Sequence, residues 1–131
     1  MQDLPSGLGP EAQLEQLGTM CAPGLSRLLL TSVQAAREQP GRLPLSLGRH
    51  ACIRLALASQ QPAVLQVSLS APSSAQLANV TQPTPMLIGR DGPLCVGDPG
   101  EYRLEVRTVQ GAMQVWVGAW STQGEPPDAS H

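Results

Sequence analysis

The sequence predicts a mainly β protein: a Greek-key antiparallel β-sandwich of about seven strands, with an N-terminal helical segment packed on one face. Before residue 40, apolar residues recur every three or four positions, as in an amphipathic helix. After residue 43, apolar and polar residues alternate, as in half-buried strands. The chain of 131 residues is long enough for one domain with an ordinary hydrophobic core.

Residues 11–40 are predicted to be helical. Pro23 and Gly24 interrupt the pattern, and a proline costs about 3 kcal/mol inside a helix but is tolerated in its first turn. We therefore expect a short helix near 11–20 and a longer one near 24–38. The apolar positions that carry this period are Leu14, Leu17, Cys21, Leu25 and Leu28.

Residues 43–121 are predicted to form the sandwich. The stretch 71–85 is rich in Ser and Pro, and its run AQLANV is expected to be an edge strand, with TPMLIG following as another. Proline is tolerated at a sheet edge because no ladder hydrogen bond is lost there. The runs that alternate most clearly are ACIRLALA, AVLQVSLS, EYRLEVRTV and AMQVWVGAW.

The two ends of the chain, residues 1–10 and 122–131, are expected to be disordered. The opening MQDLPSGLGPE has neither the charged nor the apolar segment of a signal peptide. The sequence therefore fits either a cytosolic protein or the mature form of an exported one. No apolar run approaches the ~18 to 20 residues that cross a bilayer, so the protein is not expected to be transmembrane.

Three cysteines, Cys21, Cys52 and Cys95, bear on the compartment. Cys52 begins one alternating run and Cys95 precedes another, so a disulfide could join two neighbouring strands. The alternative is a pair of buried free thiols. If the bridge forms, a loop of this length is worth about 4 kcal/mol. Cys21 is then left as a buried thiol or as a link to a partner.

Asp98, Gly100 and Tyr102 form the D-x-G-x-Y pattern of a tyrosine corner within CVGDPGEYRLEV. In this device a Tyr at the start of a strand turns its hydroxyl back to a backbone group. We expect a structural role, because a catalytic Tyr requires a nearby base or cation, and the sequence points to none.

From about Leu43 to Trp120, the order of these runs and the ending PLCVGDPGEYRLEVRTVQGAMQVWVGAW resemble the pre-peptidase C-terminal type of β-sandwich. That family supplies accessory modules to secreted bacterial proteins, so the resemblance implies a non-catalytic, extracytoplasmic sandwich. The family's L-x-D-x-x-G motif has no counterpart in QVSLSAPSSAQLANV, and the resemblance therefore implies no calcium or ligand site.

Motifs that carry chemistry are missing: the sequence has no HExxH, GxSxG elbow or P-loop, and no CxxC or Cys/His cluster for zinc. We expect no enzyme activity, cofactor or metal. Asp91, Asp98 and Glu101 lie in Gly-rich loops but fit turn-capping better than a calcium site. The net charge is −2 and the eight basic residues are scattered arginines, which excludes a nucleic-acid interface. Asn79 and Thr81 form an N-x-T sequon, which has no force in a bacterial protein.

The candidate binding residues are Trp116, Trp120 and Gln114, on one face of the last strand. The other face is apolar too, so something must cover the tryptophans. We expect the helix near 24–38 to cover them; a partner protein or a sugar is the alternative.

The leading functional hypothesis is a small periplasmic or extracellular sandwich for protein–protein interaction or assembly. Its protein partner is not identified by the sequence, and homo- and hetero-oligomers are both open. The alternatives are a carbohydrate-binding module using Trp116 and Trp120 and a cytosolic regulatory subunit whose helix recruits a partner.

Overall fold

The computed structural model describes residues 9–21, 25–89 and 94–122, so most of the two ends expected to be disordered lies outside it. One helix and nine strands occupy these residues. Their bounds are α1 Pro10–Cys21, β1 Ser26–Ala36, β2 Gly41–Leu47, β3 Cys52–Ala58, β4 Val64–Ser70, β5 Gln76–Pro83, β6 Met86–Ile88, β7 Leu94–Cys95, β8 Gly100–Thr108 and β9 Ala112–Ser121.

The strands form two antiparallel sheets. Sheet A has the order β1-β9-β3-β6, and sheet B has the order β2-β8-β4-β5. The two-residue strand β7 also pairs with β3, at Cys52 and Ile53, whereas β6 pairs with Leu55 to Leu57. Since β9 occupies the other edge of β3, strands β6 and β7 share one strand position.

The pairing is nested: β1 pairs with β9, β2 with β8, β3 with β6 and β4 with β5. A chain whose first strand pairs with its last, and so on inward, is a long antiparallel ribbon. Rolled into two sheets, this ribbon is the jelly roll, which contains two Greek keys. The predicted fold class, a Greek-key β-sandwich with a helix on one face, is confirmed, with nine strands in the described residues where about seven were expected.

The core lies between the two sheets and follows the predicted alternation. Every second residue of a strand is buried because successive side chains point to opposite faces. The largest side chains with essentially no solvent exposure in this layer are Leu45, Leu47, Ile53, Leu55, Leu57, Leu65, Leu69, Met86 and Leu104.

The prediction of a helix near 24–38 is wrong. Ser26–Ala36 is the strand β1, which pairs with β9 from Ser26 opposite Ser121 to Ala36 opposite Ala112. Leu29 packs on the core between the sheets, whereas Leu30 packs on the opposite face of sheet A. Both faces of β1 are therefore partly apolar. This removes the alternation by which a strand is recognised in a sequence.

The helix expected near 11–20 is confirmed as α1, and it covers the outer face of sheet A. Leu14 is 0% and Leu17 5% exposed, and both pack with Ala56, Leu87 and Trp120 in a second apolar cluster. The sandwich thus starts at β1 rather than at residue 43. At its other end Thr122, expected in the disordered tail, exchanges two hydrogen bonds with Cys52.

Candidate functional site

The two tryptophans lie on the outer face of β9, as the alternation predicts. Trp120 stands opposite Arg54 of β3, and Trp116 stands opposite Ala58. Trp120 is only 6% exposed because α1 lies over it. A Cβ atom on Gly118 would come within 2.6 Å of the Trp120 Cη2 atom. The indole therefore lies against the backbone of its own strand, in space that only glycine leaves.

This burial corrects the predicted binding site. Trp120 has no free face to offer a sugar or a partner. Of the two options for covering the tryptophans, a helix does so, but it is α1 and not the segment near 24–38. Trp116 is half-buried against the same cluster. Gln114 is exposed, and its Nε2 donates a hydrogen bond to Ser32 Oγ of β1 at 2.8 Å. The three residues do not form one open site.

The predicted disulfide is confirmed: the Cys52 and Cys95 sulfurs are bonded, at 2.02 Å. These residues stand opposite each other on β3 and β7. Because Ile53 points into the core, Cys52 points to the outer face of sheet A. The bridge therefore fastens the short strand β7 to the sheet.

The Tyr102 hydroxyl donates a hydrogen bond of 2.6 Å to the backbone carbonyl of Asp98, the contact that defines a tyrosine corner. Its ring is 3% exposed. Burial raises the pKa of the phenol, and the negative charge of Asp98 adds to that rise. Gly100 stands between them, and a Cβ there would lie 2.9 Å from Pro72 Cγ in the β4–β5 loop. This cluster is built for packing.

The outer face of sheet B differs from that of sheet A, because α1 packs only on sheet A and no other described helix exists to cover sheet B. We call this surface the open face. Along β8 it presents Glu101, Arg103, Glu105 and Arg107 in alternating charge, while the intervening residues point into the core. The neighbouring strands add polar side chains at matching register positions, namely Arg42, Ser46, Gln66, Ser68, Asn79 and Thr81.

Charges on the open face are partly paired. The Arg42 Nε atom lies 3.4 Å from the Glu105 carboxylate, at directly opposed positions of β2 and β8. On its other side Glu105 stands opposite Ser68, and Arg107 stands opposite Gln66. Each guanidinium and carboxylate of β8 keeps hydrogen-bonding capacity for a ligand, because an Arg has five N–H donors and a carboxylate about four acceptor sites.

In the part of the chain that the structure describes, three depressions border β8. One of about 230 Å³ lies toward β2 and is lined by Arg42, Leu43, Pro44, Glu101, Tyr102 and Arg103. One of about 270 Å³ lies toward β5 and is lined by Gln66, Ser68, Gln76, Asn79, Glu105 and Arg107. The third, of about 820 Å³, lies at the end of β8 and is lined by Arg37, Glu38, Gln66, Arg107, Thr108 and Val109.

This surface was not predicted from the sequence, although its signal is visible as opposite charges at every second residue of EYRLEVRTV. Within the described ranges, no three His, Cys, Asp or Glu side chains converge on a point where a metal ion would bind. His50 is an exposed turn residue, and Asp91 lies outside the described residues. Among the described helices, none is long and apolar enough to span a bilayer.

Comparisons with known proteins give similarity of structure alone. No protein-family model matches the sequence. A search of curated proteins finds no match either. Among solved structures, the chain is similar to a point mutant of a family 29 carbohydrate-binding module, with 9% identity and a TM-score of 0.43, over 77% of this chain and 78% of that one. It is also similar to the Drosophila NLP core, described for pentamer formation and histone binding, with 11% identity and a TM-score of 0.34, over 70% and 96% of the two chains.

Proposed function

We propose that this protein is a non-catalytic β-sandwich module that binds a protein partner through its open face, outside the cytoplasm. The observation that carries the proposal is the charge ladder of β8, formed by Glu101, Arg103, Glu105 and Arg107, whose members line each of the three depressions described above. The outer face of sheet A is a poor alternative because α1 already packs on its apolar side chains.

The shape and chemistry of the open face favour a broad protein surface. Between Glu101 and Arg107 the ladder extends over about 20 Å, at 3.4 Å per residue. A carboxylate and a guanidinium alternate along it, so a partner needs the complementary alternation, and a surface of a single charge sign is repelled at every second position. Arginine is also enriched at protein interfaces, where its planar group makes several hydrogen bonds.

A sugar ligand is the weaker candidate for the open face. Carbohydrate rings commonly stack on exposed aromatic side chains, and the described part of this face carries none. The rings of Trp120 and Tyr102 are buried, each at 6% exposure or less.

The extracytoplasmic location rests on the Cys52–Cys95 disulfide, since structural disulfides persist in oxidising compartments and are rare in the cytosol. The resemblance of residues 43–120 to accessory modules of secreted proteins supports the same location and the same non-catalytic role. Membership of that family stays a prediction.

The test compares two variants with equal loss of charge. Arg103→Ala/Arg107→Ala removes both guanidinium groups of the ladder, while Arg27→Ala/Arg49→Ala removes two exposed ones that line none of the three depressions. Each tagged full-length protein is incubated with extracellular or periplasmic proteins of its source, and bound partners are quantified by mass spectrometry at low and high salt. The recovered amount of a partner that binds the open face should fall at least tenfold with the ladder variant and stay unchanged with the control. High salt should also lower its recovery.

Equal recovery of every partner by both variants would refute binding through the open face. Binding of wild-type protein to a glycan array, lost in the ladder variant, would replace the protein partner with a sugar. Turnover on a hydrolase panel, abolished by one polar substitution, would refute the non-catalytic role.

A further inference from the structure

We propose that Asn79 is a site of N-linked glycosylation. Asn79 is the single asparagine of the chain, and it lies in the sequence Asn-Val-Thr, which is the acceptor sequon. A sequon in a buried segment would be irrelevant, because a glycan must remain at the surface of the folded protein. The proposal therefore depends on whether the Asn79 sequon is exposed in the folded sandwich.

The sequon lies on β5, at the edge of sheet B. β5 pairs with β4 and, in the described part of the chain, with no strand on its other side. Asn79 and Thr81 are both exposed and lie on the same face, while Val80 between them is half-buried against the core. A glycan on Asn79 therefore extends into solvent without displacing any packed side chain.

The hydrogen bonding of Asn79 leaves its reactive atom available. Asn79 Oδ1 accepts a hydrogen bond of 3.4 Å from Gln66 Nε2 of the neighbouring strand β4. The carboxamide nitrogen Nδ2 takes no part in that contact. The side chain is thus held at the surface by its oxygen.

The modification is a glycosyl transfer whose second reactant is an oligosaccharide carried on a polyisoprenyl diphosphate. Asn79 Nδ2 forms a bond to the anomeric carbon, the bond from that carbon to the diphosphate oxygen breaks, and the polyisoprenyl diphosphate leaves. One Nδ2 proton passes to a base of the transferase. The Thr81 hydroxyl is the part of the acceptor that the sequon requires.

The compartment that this modification requires is the one that the disulfide favours. The transferase acts in the lumen of the secretory pathway, and the Cys52–Cys95 disulfide forms under the same oxidising conditions. The inference shares the extracytoplasmic location of the proposed function but does not depend on partner binding. It assigns the protein to a host with N-glycosylation machinery, in contrast to the bacterial source that the family resemblance implies.

A glycan at Asn79 has two consequences for the sandwich. It shields the unpaired edge of β5, where exposed N–H and C=O groups would otherwise invite pairing with another chain. It also lies beside the depression that Asn79 lines, on the β4–β5 side of the open face. The depression between β2 and β8 stays free for a partner.

The full chain, fused to an export signal, is produced in human cells as wild type and as Thr81→Ala, Thr81→Ser and Ser68→Ala. Ser68→Ala is the matched control, since it removes a hydroxyl opposite Asn79 but leaves the sequon intact. Secreted and cell-retained protein are both digested with peptide N-glycosidase in heavy-oxygen water and mapped by mass spectrometry.

We expect wild type, Thr81→Ser and Ser68→Ala to carry a glycan, and residue 79 to become a heavy-oxygen-labelled aspartate on its removal. Thr81→Ala should lack both. An unlabelled Asn79 in translocated wild-type protein that contains the disulfide would overturn the site, as would a glycan that persists in Thr81→Ala. If Asn79 carries no glycan but salt-sensitive partner binding persists, only the glycosylation site is refuted. If Asn79 carries a glycan but no partner binds, only the proposed function is refuted.

Discussion

Removing the disulfide is the sharpest test of the fold. The double variant Cys52→Ala/Cys95→Ala opens a bridge between positions 43 apart in sequence. In the chain-entropy treatment, closing a loop of about that length lowers the entropy of the unfolded chain by about 13 cal/mol/K, or about 4 kcal/mol at 25 °C. For a chain of this size 1 kcal/mol corresponds to about 4 °C in Tm, so we expect a loss of about 15 °C.

The assay is thermal unfolding followed by circular dichroism, with urea unfolding for the free energy. Cys21→Ser is the background for both proteins, so that no third thiol can exchange with the bridge. A non-reducing peptide map of the natural protein shows whether residues 52 and 95 are linked. A loss below 1 kcal/mol would refute the loop argument. Three free thiols in the map would refute the pairing itself and remove the basis for an oxidising compartment.

Three further predictions concern single packed residues. Tyr102→Phe should cost about 1 kcal/mol at pH 7, because the Asp98 carbonyl loses its donor. Because folding raises the pKa of this phenol, wild-type stability is retained below about pH 10 and falls as the pH rises above that value. The Phe variant should not show this fall. Urea unfolding at pH 7 and 11 measures both effects. Gly118→Ala should cost about 1 to 3 kcal/mol, because its Cβ would displace the indole 2.6 Å away, whereas Gly97→Ala, with nothing within 4 Å, should be near neutral in the same unfolding assay. Leu14→Ala should weaken the docking of α1 by about 2 to 5 kcal/mol and shift tryptophan fluorescence to the red, whereas the exposed Gln16→Ala should not.

Each of these three predictions would be contradicted by a specific result. An alkaline loss of stability that persists in Tyr102→Phe would assign it to another group, such as the Cys21 thiol, since the chain contains no lysine and no second tyrosine. Equal effects of the two glycine variants would contradict the close contact at the indole. Unchanged fluorescence in Leu14→Ala would mean that α1 does not cover sheet A in solution.

The features that could be predicted from the residues alone are those that depend on a local pattern. Strands with one face in the core show period two, because each successive side chain reverses direction. This is why β3, β4, β8 and β9 could be predicted, together with the short helix α1. The sequence was compatible both with a bridge between Cys52 and Cys95 and with two free thiols. The pairing of β3 with β7, which places the two residues opposite each other, favours the bridge.

The conformation of Ser26–Ala36 and the location of the open face depend on contacts between segments that are distant in the sequence. The apolar residues of β1 are divided between the core and the cluster under α1, so their spacing fits a helix as well as a strand. Pairing with β9, more than 75 residues away at every position, settles the choice. The same distant contacts bury Trp120 and leave the charges of β8 exposed. Local periodicity reports which side chains are apolar, but which surface is covered depends on where remote segments pack.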